Sequence, residues 1–230
     1  MSSDAVGAPL VDTRYYEAAA PRSIGERVLI WARDRIYRDF IRLAAPAPTD
    51  RILDVGVSDV INDGANLLER LYPLPRQITA AGLGEGGAFR AAFPDVGYRQ
   101  IMAGQPLPYA DDHFDIAVSN AVIEHVGSRE AQAAFIRELS RVAKRVFLSA
   151  PNRWFPVEHH TGLPLAHYND AIFSLACKAT GRAHWLDPNE LILTDIGDLR
   201  RAAPPTRRSR TGYTGLPLGP LSSNLYLILD

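Results

Sequence analysis

Residues 51–59 read RILDVGVSD, and this stretch decides the fold. Ile52, Leu53 and Val55 make a short apolar run that closes on a carboxylate, Asp54, and a glycine, Gly56. An apolar run of this length, without a polar face, reads as a strand buried on both sides, as in a parallel sheet. Asp54 and Gly56 then fall at the strand's carboxyl end, where ligands bind in open parallel sheets. Glycine there lets the backbone turn and approach a ligand where a side chain would collide.

The pattern extends outward from that strand. Residues 66–72 read as a short helix stopped by Pro73, and residues 77–83 as a second strand. A turn with Gly82, Gly84, Gly86 and Gly87 leads to a short helix over 88–93, and 97–102 is a third strand. Residues 114–119 (FDIAVS) are a fourth strand and 145–150 (RVFLSA) a fifth. Between them Ser128 can cap a helix whose Ala131, Phe135, Leu139 and Val142 share one face. Upstream, Ser23 and Glu26 have capping-box spacing. Ile24, Val28, Trp31, Ile36, Phe40 and Leu43 then predict a helix over 24–44 that ends before Pro46 and Pro48. Thr194 can cap a helix to about Ala203, and 207–213 with 224–229 read as an antiparallel hairpin. Strands alternating with helices at short spacing predict an α/β fold. The expected form is a Rossmann-like, doubly wound, seven-stranded sheet, mostly parallel with an antiparallel terminal hairpin. The expected division is an N-terminal arm and helix over 1–45 and one domain over 46–230, with an insertion at about 151–181.

Composition narrows the function. The chain has 230 residues, 47% of them hydrophobic, with 25 Lys plus Arg against 26 Asp plus Glu. A chain of this size buries roughly 70–75% of its unfolded surface and needs no disulfide or metal staple. A net charge of −1 supplies no overall field to attract nucleic acid or an anionic membrane. Residues 1–17 carry neither a basic nor an apolar signal region, and no run reaches about 18 apolar residues. A cytoplasmic protein without a membrane partner is expected. The lone Cys177 sits in the apolar run FSLAC and reads as a core residue.

About 60 residues after the glycine turn stands LPYADDHFDIAVSNAVIEHVGSREAQAAFIREL, residues 107–139. With LDVG at 53–56, this stretch resembles the class I S-adenosylmethionine-dependent methyltransferases, and within them the small type-11-like domains. The likeness covers about residues 50–150, and the terminal hairpin fits it. It implies S-adenosylmethionine as cofactor and a methyl transfer to a small-molecule acceptor. It places Asp54 near the methionine ammonium, and Gly56, Val57 and Ser58 in the loop beneath the methionine and ribose. Asn120, Ala121 and His125 would line the same cleft.

The chain departs from that family's pattern at three positions. Ser58 stands where a further glycine is usual. Gly82, followed by Leu83, stands where an acid usually binds the ribose hydroxyls, with Glu85 the nearest carboxylate. Ala103, followed by Gly104, stands where an aspartate usually binds the adenine amine.

Methyl transfer from a sulfonium needs alignment and exclusion of water, and a base where the acceptor carries a proton. His125, His159 and His160 are the candidates for that base. The histidine pair lies in WFPVEHHTGLPL, residues 154–165, within the insertion that would cover the acceptor. Two adjacent histidines do not readily face one ion, so no metal is expected. Trp154, Phe155 and Tyr168 are either an acceptor pocket or the insertion's own core. Arg200, Arg201, Arg207, Arg208 and Arg210 form a basic cluster that reads as a solvated face. Tyr15 and Tyr16 are candidate lid residues, and the helix over 24–44 is a candidate contact for a second copy. The alternative to an enzyme is a methyltransferase-fold binding domain without activity. A nicotinamide dehydrogenase is disfavoured, because no Gly-x-Gly-x-x-Gly follows the first strand.

Overall fold

A computed structural model describes residues 24–61 and 65–230, with side chains from Ile30 onward. The Ser23–Glu26 capping box and the Tyr15–Tyr16 lid lie outside the described residues. The elements are α1 (Ile24–Ala44), β1 (Ile52–Val55), α2 (Leu67–Leu71), β2 (Ile78–Gly82), α3 (Gly87–Ala92), β3 (Gly97–Gln100), β4 (Phe114–Asn120), α4 (Arg129–Val142), β5 (Ala143–Pro151), α5 (Asp170–Ala179), α6 (Ile196–Ala202), β6 (Ser209–Thr214) and β7 (Asn224–Leu229).

The seven strands form one sheet in the order β3-β2-β1-β4-β5-β7-β6. The first five are parallel, and β7 runs antiparallel to both β5 and β6. All four residues of β1 are buried, Asp54 among Ile52, Leu53 and Val55. Strand alternation sends side chains to two cores. Leu53, Val55, Ala117, Val146, Leu148, Leu225 and Leu227 pack with Ile136 and Leu139 of α4 and Leu199 of α6. Ile52, Ile78, Ile116, Val118, Phe147 and Ile228 pack on the other face with Ile36 and Phe40 of α1, Leu68 of α2 and Phe89 of α3. Helices cover both faces, so the sheet is doubly wound.

Two local expectations are corrected. The fully buried stripe of α4 is Gln132, Ile136, Leu139 and Val142, with Ala131 and Phe135 only partly buried. Gln132 can be buried because its amide donates to Ile123 O at 3.0 Å and to Thr194 Oγ1 at 3.2 Å. Thr194 is thus engaged by α4, and Asp195 caps α6 instead, in a reciprocal capping box with Asp198. Ser128 caps α4 as expected, its hydroxyl accepting from Ala131 N at 3.1 Å.

Between β5 and α6 the chain builds a third, smaller core from Phe173, Cys177, Trp185 and Leu191. It extends past residue 181 because Trp185 and Leu191 close over α5. Cys177 is fully buried there, as its apolar surroundings predict. No helix of the described residues is long and apolar enough to cross a membrane.

Candidate functional site

The carboxyl ends of β1, β2 and β4 lie side by side, with Asp54 opposite Ala80 on one neighbour and Val118 on the other. Gly56 has φ +102°, and a Cβ there would stand 2.1 Å from Val122 Cγ2. Only glycine makes this turn, because both the backbone angle and Val122 exclude a side chain. Amides of Gly56 and Val57 donate to Ala81 O at 2.8 and 3.3 Å, which folds the loop over the end of β2. Ser58 N donates to Asn66 Oδ1 and Asn66 Nδ2 donates to Ser58 O, each at 2.9 Å. Asp59 accepts from Gly86 N at 2.8 Å and Phe89 N at 3.0 Å, tying this loop to the start of α3. Asn66 and Asp59 were not singled out from the sequence, since their spacing to the loop is set by the fold.

Asp54 is 7% exposed, and burial together with the nearby Glu69 carboxyl raises its pKa well above the usual range. Burial raises the Glu69 pKa to about 7, and among the described residues its carboxyl oxygens have no hydrogen-bond partner beyond its own backbone. The two buried acids hold their protons more tightly than free carboxyls, and ionise at the cost of burying charge. The pair fits a ligand that brings an ammonium group. Glu69 was legible only as a carboxylate on the otherwise apolar face of LLERL.

The β2–β3 rim is open. Leu83, Glu85, Ala103 and Gly104 are all exposed, and Gly104 takes a left-handed conformation at φ +71°. Gly82 is buried, and a Cβ there would stand 2.8 Å from both Val57 O and the Tyr98 hydroxyl. A side chain at this position is therefore excluded by backbone. On the β4 side, Asn120 Oδ1 accepts from the Ser149 hydroxyl, and Ala121 N donates to Ser149 O at 2.9 Å. Ala121 sits at φ +54°, a left-handed conformation that costs an alanine energy and is held by that contact.

Beyond Ala121 the chain turns through Ile123, Glu124 and His125. His125 Nδ1 lies 2.6 Å from Glu190 O, and its Nε2 lies 3.8 Å from Glu124 Oε1. Glu124 is 1% exposed, and among the described residues neither carboxyl oxygen has a hydrogen-bond partner. His160 arrives from the insertion, its ring 5.0 Å from that of His125 and at right angles to it. Its Nδ1 lies 2.9 Å from Glu158 Oε1. Burial lowers the His160 pKa, but Glu158 and Glu124 outweigh this and leave it raised. Burial likewise raises Glu158, and the His160 and Thr161 hydrogen bonds overcome it to leave the carboxyl at about 2. Among the described residues, Glu124, His125 and His160 each offer one ligand atom within 4.8 Å of the others. The two histidines of the sequence pair part company. His159 meets Phe155 edge to face, with ring centroids 5.3 Å apart, and lines a small pocket with Glu124 and Glu158, where burial lowers its pKa to about 4.

The aromatic residues hold the insertion in place. The Tyr168 hydroxyl donates to Trp154 O at 2.8 Å, and the two rings meet edge to face at 5.5 Å. His167 is buried with Nε2 2.8 Å from Phe155 O. The basic cluster is largely spent on internal bonds. Arg200 donates to Thr211 Oγ1, Arg207 to Ala143 O, and Arg210 to Asp230.

The sheet order and the terminal antiparallel pair give a fold shared with solved S-adenosylmethionine-dependent methyltransferases. A family model described as a methyltransferase domain matches residues 69–146 of the chain. An S-adenosylmethionine-dependent methyltransferase from Thermotoga maritima, titled a possible histamine N-methyltransferase, is 15% identical with a TM-score of 0.55. The match covers 89% of this chain and 91% of that one. Magnesium protoporphyrin IX methyltransferase from Synechocystis, solved with bound S-adenosylmethionine, is 14% identical with a TM-score of 0.56. That match covers 94% and 88% of the two chains. A protein from Pyrococcus horikoshii has a TM-score of 0.57 at 11% identity, over 91% and 92%. No curated protein matches the chain by sequence.

Proposed function

We propose that this protein transfers a methyl group from S-adenosylmethionine to a small-molecule acceptor. The observation that carries the reading is the buried Asp54–Glu69 carboxyl pair beside the Gly56 turn, at the edge where β1 meets β2 and β4. Asp54 holds the ammonium of the methionine moiety, and Gly56, Val57 and Ser58 provide backbone beneath it. Gly82, Leu83, Glu85, Ala103 and Gly104 border the adenosine. Asn120 and Ala121 form the wall between cofactor and acceptor. When bound, the sulfonium supplies an activated methyl group, so the protein needs to align the acceptor and exclude water rather than attack covalently.

Glu124, His125 and His160 stand on the acceptor side, roofed by the insertion, and manage the proton leaving the acceptor atom. A neutral chain favours an acceptor without a large charge. The test is calorimetric titration with S-adenosylmethionine and S-adenosylhomocysteine. Binding of either below about 1 mM supports the reading, and its absence from folded protein overturns it.

One observation favours a second reading, a binding domain without turnover. The backbone around Gly82 excludes a side chain, so no acid can stand there for the ribose hydroxyls. Cofactor binding without product across a broad acceptor panel would favour that reading.

A further inference from the structure

We infer that Glu124, His125 and His160 form a binding site for a divalent first-row transition ion, with zinc as the type case. Four observations carry it.

The first is convergence. Glu124 and His125 leave the end of β4, while His160 comes from the insertion some 35 residues later in sequence, and one ligand atom from each lies within 4.8 Å of the others. Ligands about 2.1 Å from a tetrahedral ion stand roughly 3.4 Å apart, so modest side-chain rotation closes the set.

The second is the unsatisfied carboxylate. Glu124 is 1% exposed, and among the described residues neither oxygen has a hydrogen-bond partner, His125 Nε2 standing 3.8 Å from Oε1 and beyond hydrogen-bond reach. A buried charge in that state is costly unless something cationic joins it.

The third is tautomer control. His125 Nδ1 donates to Glu190 O at 2.6 Å, and His160 Nδ1 faces Glu158 Oε1 at 2.9 Å. In the neutral ring each contact keeps the proton on Nδ1 and leaves the lone pair on Nε2. A carbonyl and a carboxylate behind two imidazoles are the outer partners that orient histidine ligands and raise their basicity.

The fourth is the fixed position of those outer partners. Glu158 also accepts from Thr161 N at 2.6 Å and Thr161 Oγ1 at 2.7 Å, so it cannot swing in to replace Glu124.

Two imidazoles and one carboxylate suit zinc, manganese, iron or cobalt rather than magnesium or calcium, which prefer all-oxygen sets. Three protein ligands leave at least one position open, the mark of an ion that meets substrate or water rather than one that staples the fold. On the methyl-transfer reading, on which only this last step rests, the open position would take a hydroxyl of the acceptor and lower its pKa, so that its proton passes to solvent water while the new O–CH3 bond forms and the S–CH3 bond breaks, the three side chains then holding the ion rather than taking the proton. The expected acceptor class is then one with an oxygen donor able to reach a metal.

The experiment uses full-length protein stripped with a chelator and titrated without cofactor, with zinc by calorimetry and cobalt by visible absorption. One equivalent should bind more tightly than about 1 μM, with a cobalt spectrum of nitrogen and oxygen ligation and no competition from magnesium. Glu124→Gln and His160→Ala should each weaken binding at least about 100-fold, and Glu158→Gln by about 10–100-fold. His113→Ala, in an exposed turn, should leave it unchanged. No saturable uptake by folded wild-type protein overturns the proposal, as does uptake equal in wild type, Glu124→Gln and His160→Ala. Should a variant not fold, paramagnetic cobalt on the wild type still decides. Shifted ring signals from His125 and His160 support the site, and unshifted ones refute it. Because S-adenosylhomocysteine is titrated separately into metal-free protein, loss of the metal result and loss of the cofactor result are read independently.

Discussion

Replacing Glu69 by Gln tests the buried acid pair directly. Burial raises the Glu69 pKa from 4.5 in the unfolded chain to about 7 in the fold. Between those values the folded state keeps a proton that the unfolded state has released. Stability therefore falls as pH rises, starting near 4.5 and levelling above 7. The shift corresponds to about 3 kcal/mol, a large part of a typical domain's stability. Asp54, raised in the same direction, adds to the slope. Glutamine has the shape of glutamic acid and no titration, so the variant should lose most of this dependence and be the more stable protein at pH 8. The assay is urea unfolding from pH 5 to pH 8 for both proteins, without ligand. Wild-type stability that is flat across this range refutes the reasoning. So does a slope that Glu69→Gln leaves within about 1 kcal/mol of its original size. A second arm reads the ligand. If Asp54 must be ionised to hold an ammonium, S-adenosylhomocysteine binding at pH 7 should release protons. Calorimetry in two buffers of different ionisation heat detects this.

Gly56→Ala should abolish cofactor binding and destabilise the fold by about 1–3 kcal/mol. The new Cβ would stand 2.1 Å from Val122 Cγ2 at φ +102°, and pairing it with Val122→Ala should recover only the steric part, as thermal unfolding would show. Gly82→Asp should fail to tighten cofactor binding in calorimetry and should lower the melting temperature, because Val57 O lies 2.8 Å from the added Cβ. Phe40→Ala should cost about 3–5 kcal/mol in urea unfolding. The ring is 2% exposed and meets Phe147 edge to face at 5.6 Å, and α1 would lose its anchor on the sheet.

The fold was legible because its signals are local. Ile52, Leu53 and Val55 need burial on both faces, and Pro73, Gly82, Pro94 and Gly97 punctuate the strands that follow. The carboxyl edge of β1 was legible for the same reason, since a strand ending in Asp54 and Gly56 has one place to put them. The acceptor side was legible only in part. His125 and His160 could be named as residue types, but their meeting depends on the path of the insertion, which no spacing rule supplies. Glu124 and Glu69 were invisible as chemistry. Each looks like an ordinary polar residue until burial removes its water. Thr194 was misjudged as a helix cap because Asp195, one residue later, competes for that role and wins through Asp198.

The Asp54–Glu69 pair and the Glu124 cluster share a physical oddity, and it bears on why they exist. Both bury carboxyl oxygens without hydrogen-bond partners, Glu69 and Glu124 among them, and both lie where β1 and β4 end. A carboxylate retained for the fold alone would be expected to have donors, as Glu158 does from Thr161 and His160. Glu124 has none among the described residues, so its removal should not cost the fold what the removal of Glu158 would. Glu124→Gln should leave stability within about 1 kcal/mol of wild type or raise it, while Glu158→Gln should lower it by about 1–3 kcal/mol. Urea unfolding of metal-free protein measures both. Should Glu124→Gln prove the more damaging, its carboxylate holds the turn at Ile123–His125 in place and is no reserved ligand. The opposite order separates an acid kept for structure from one kept for what binds to it.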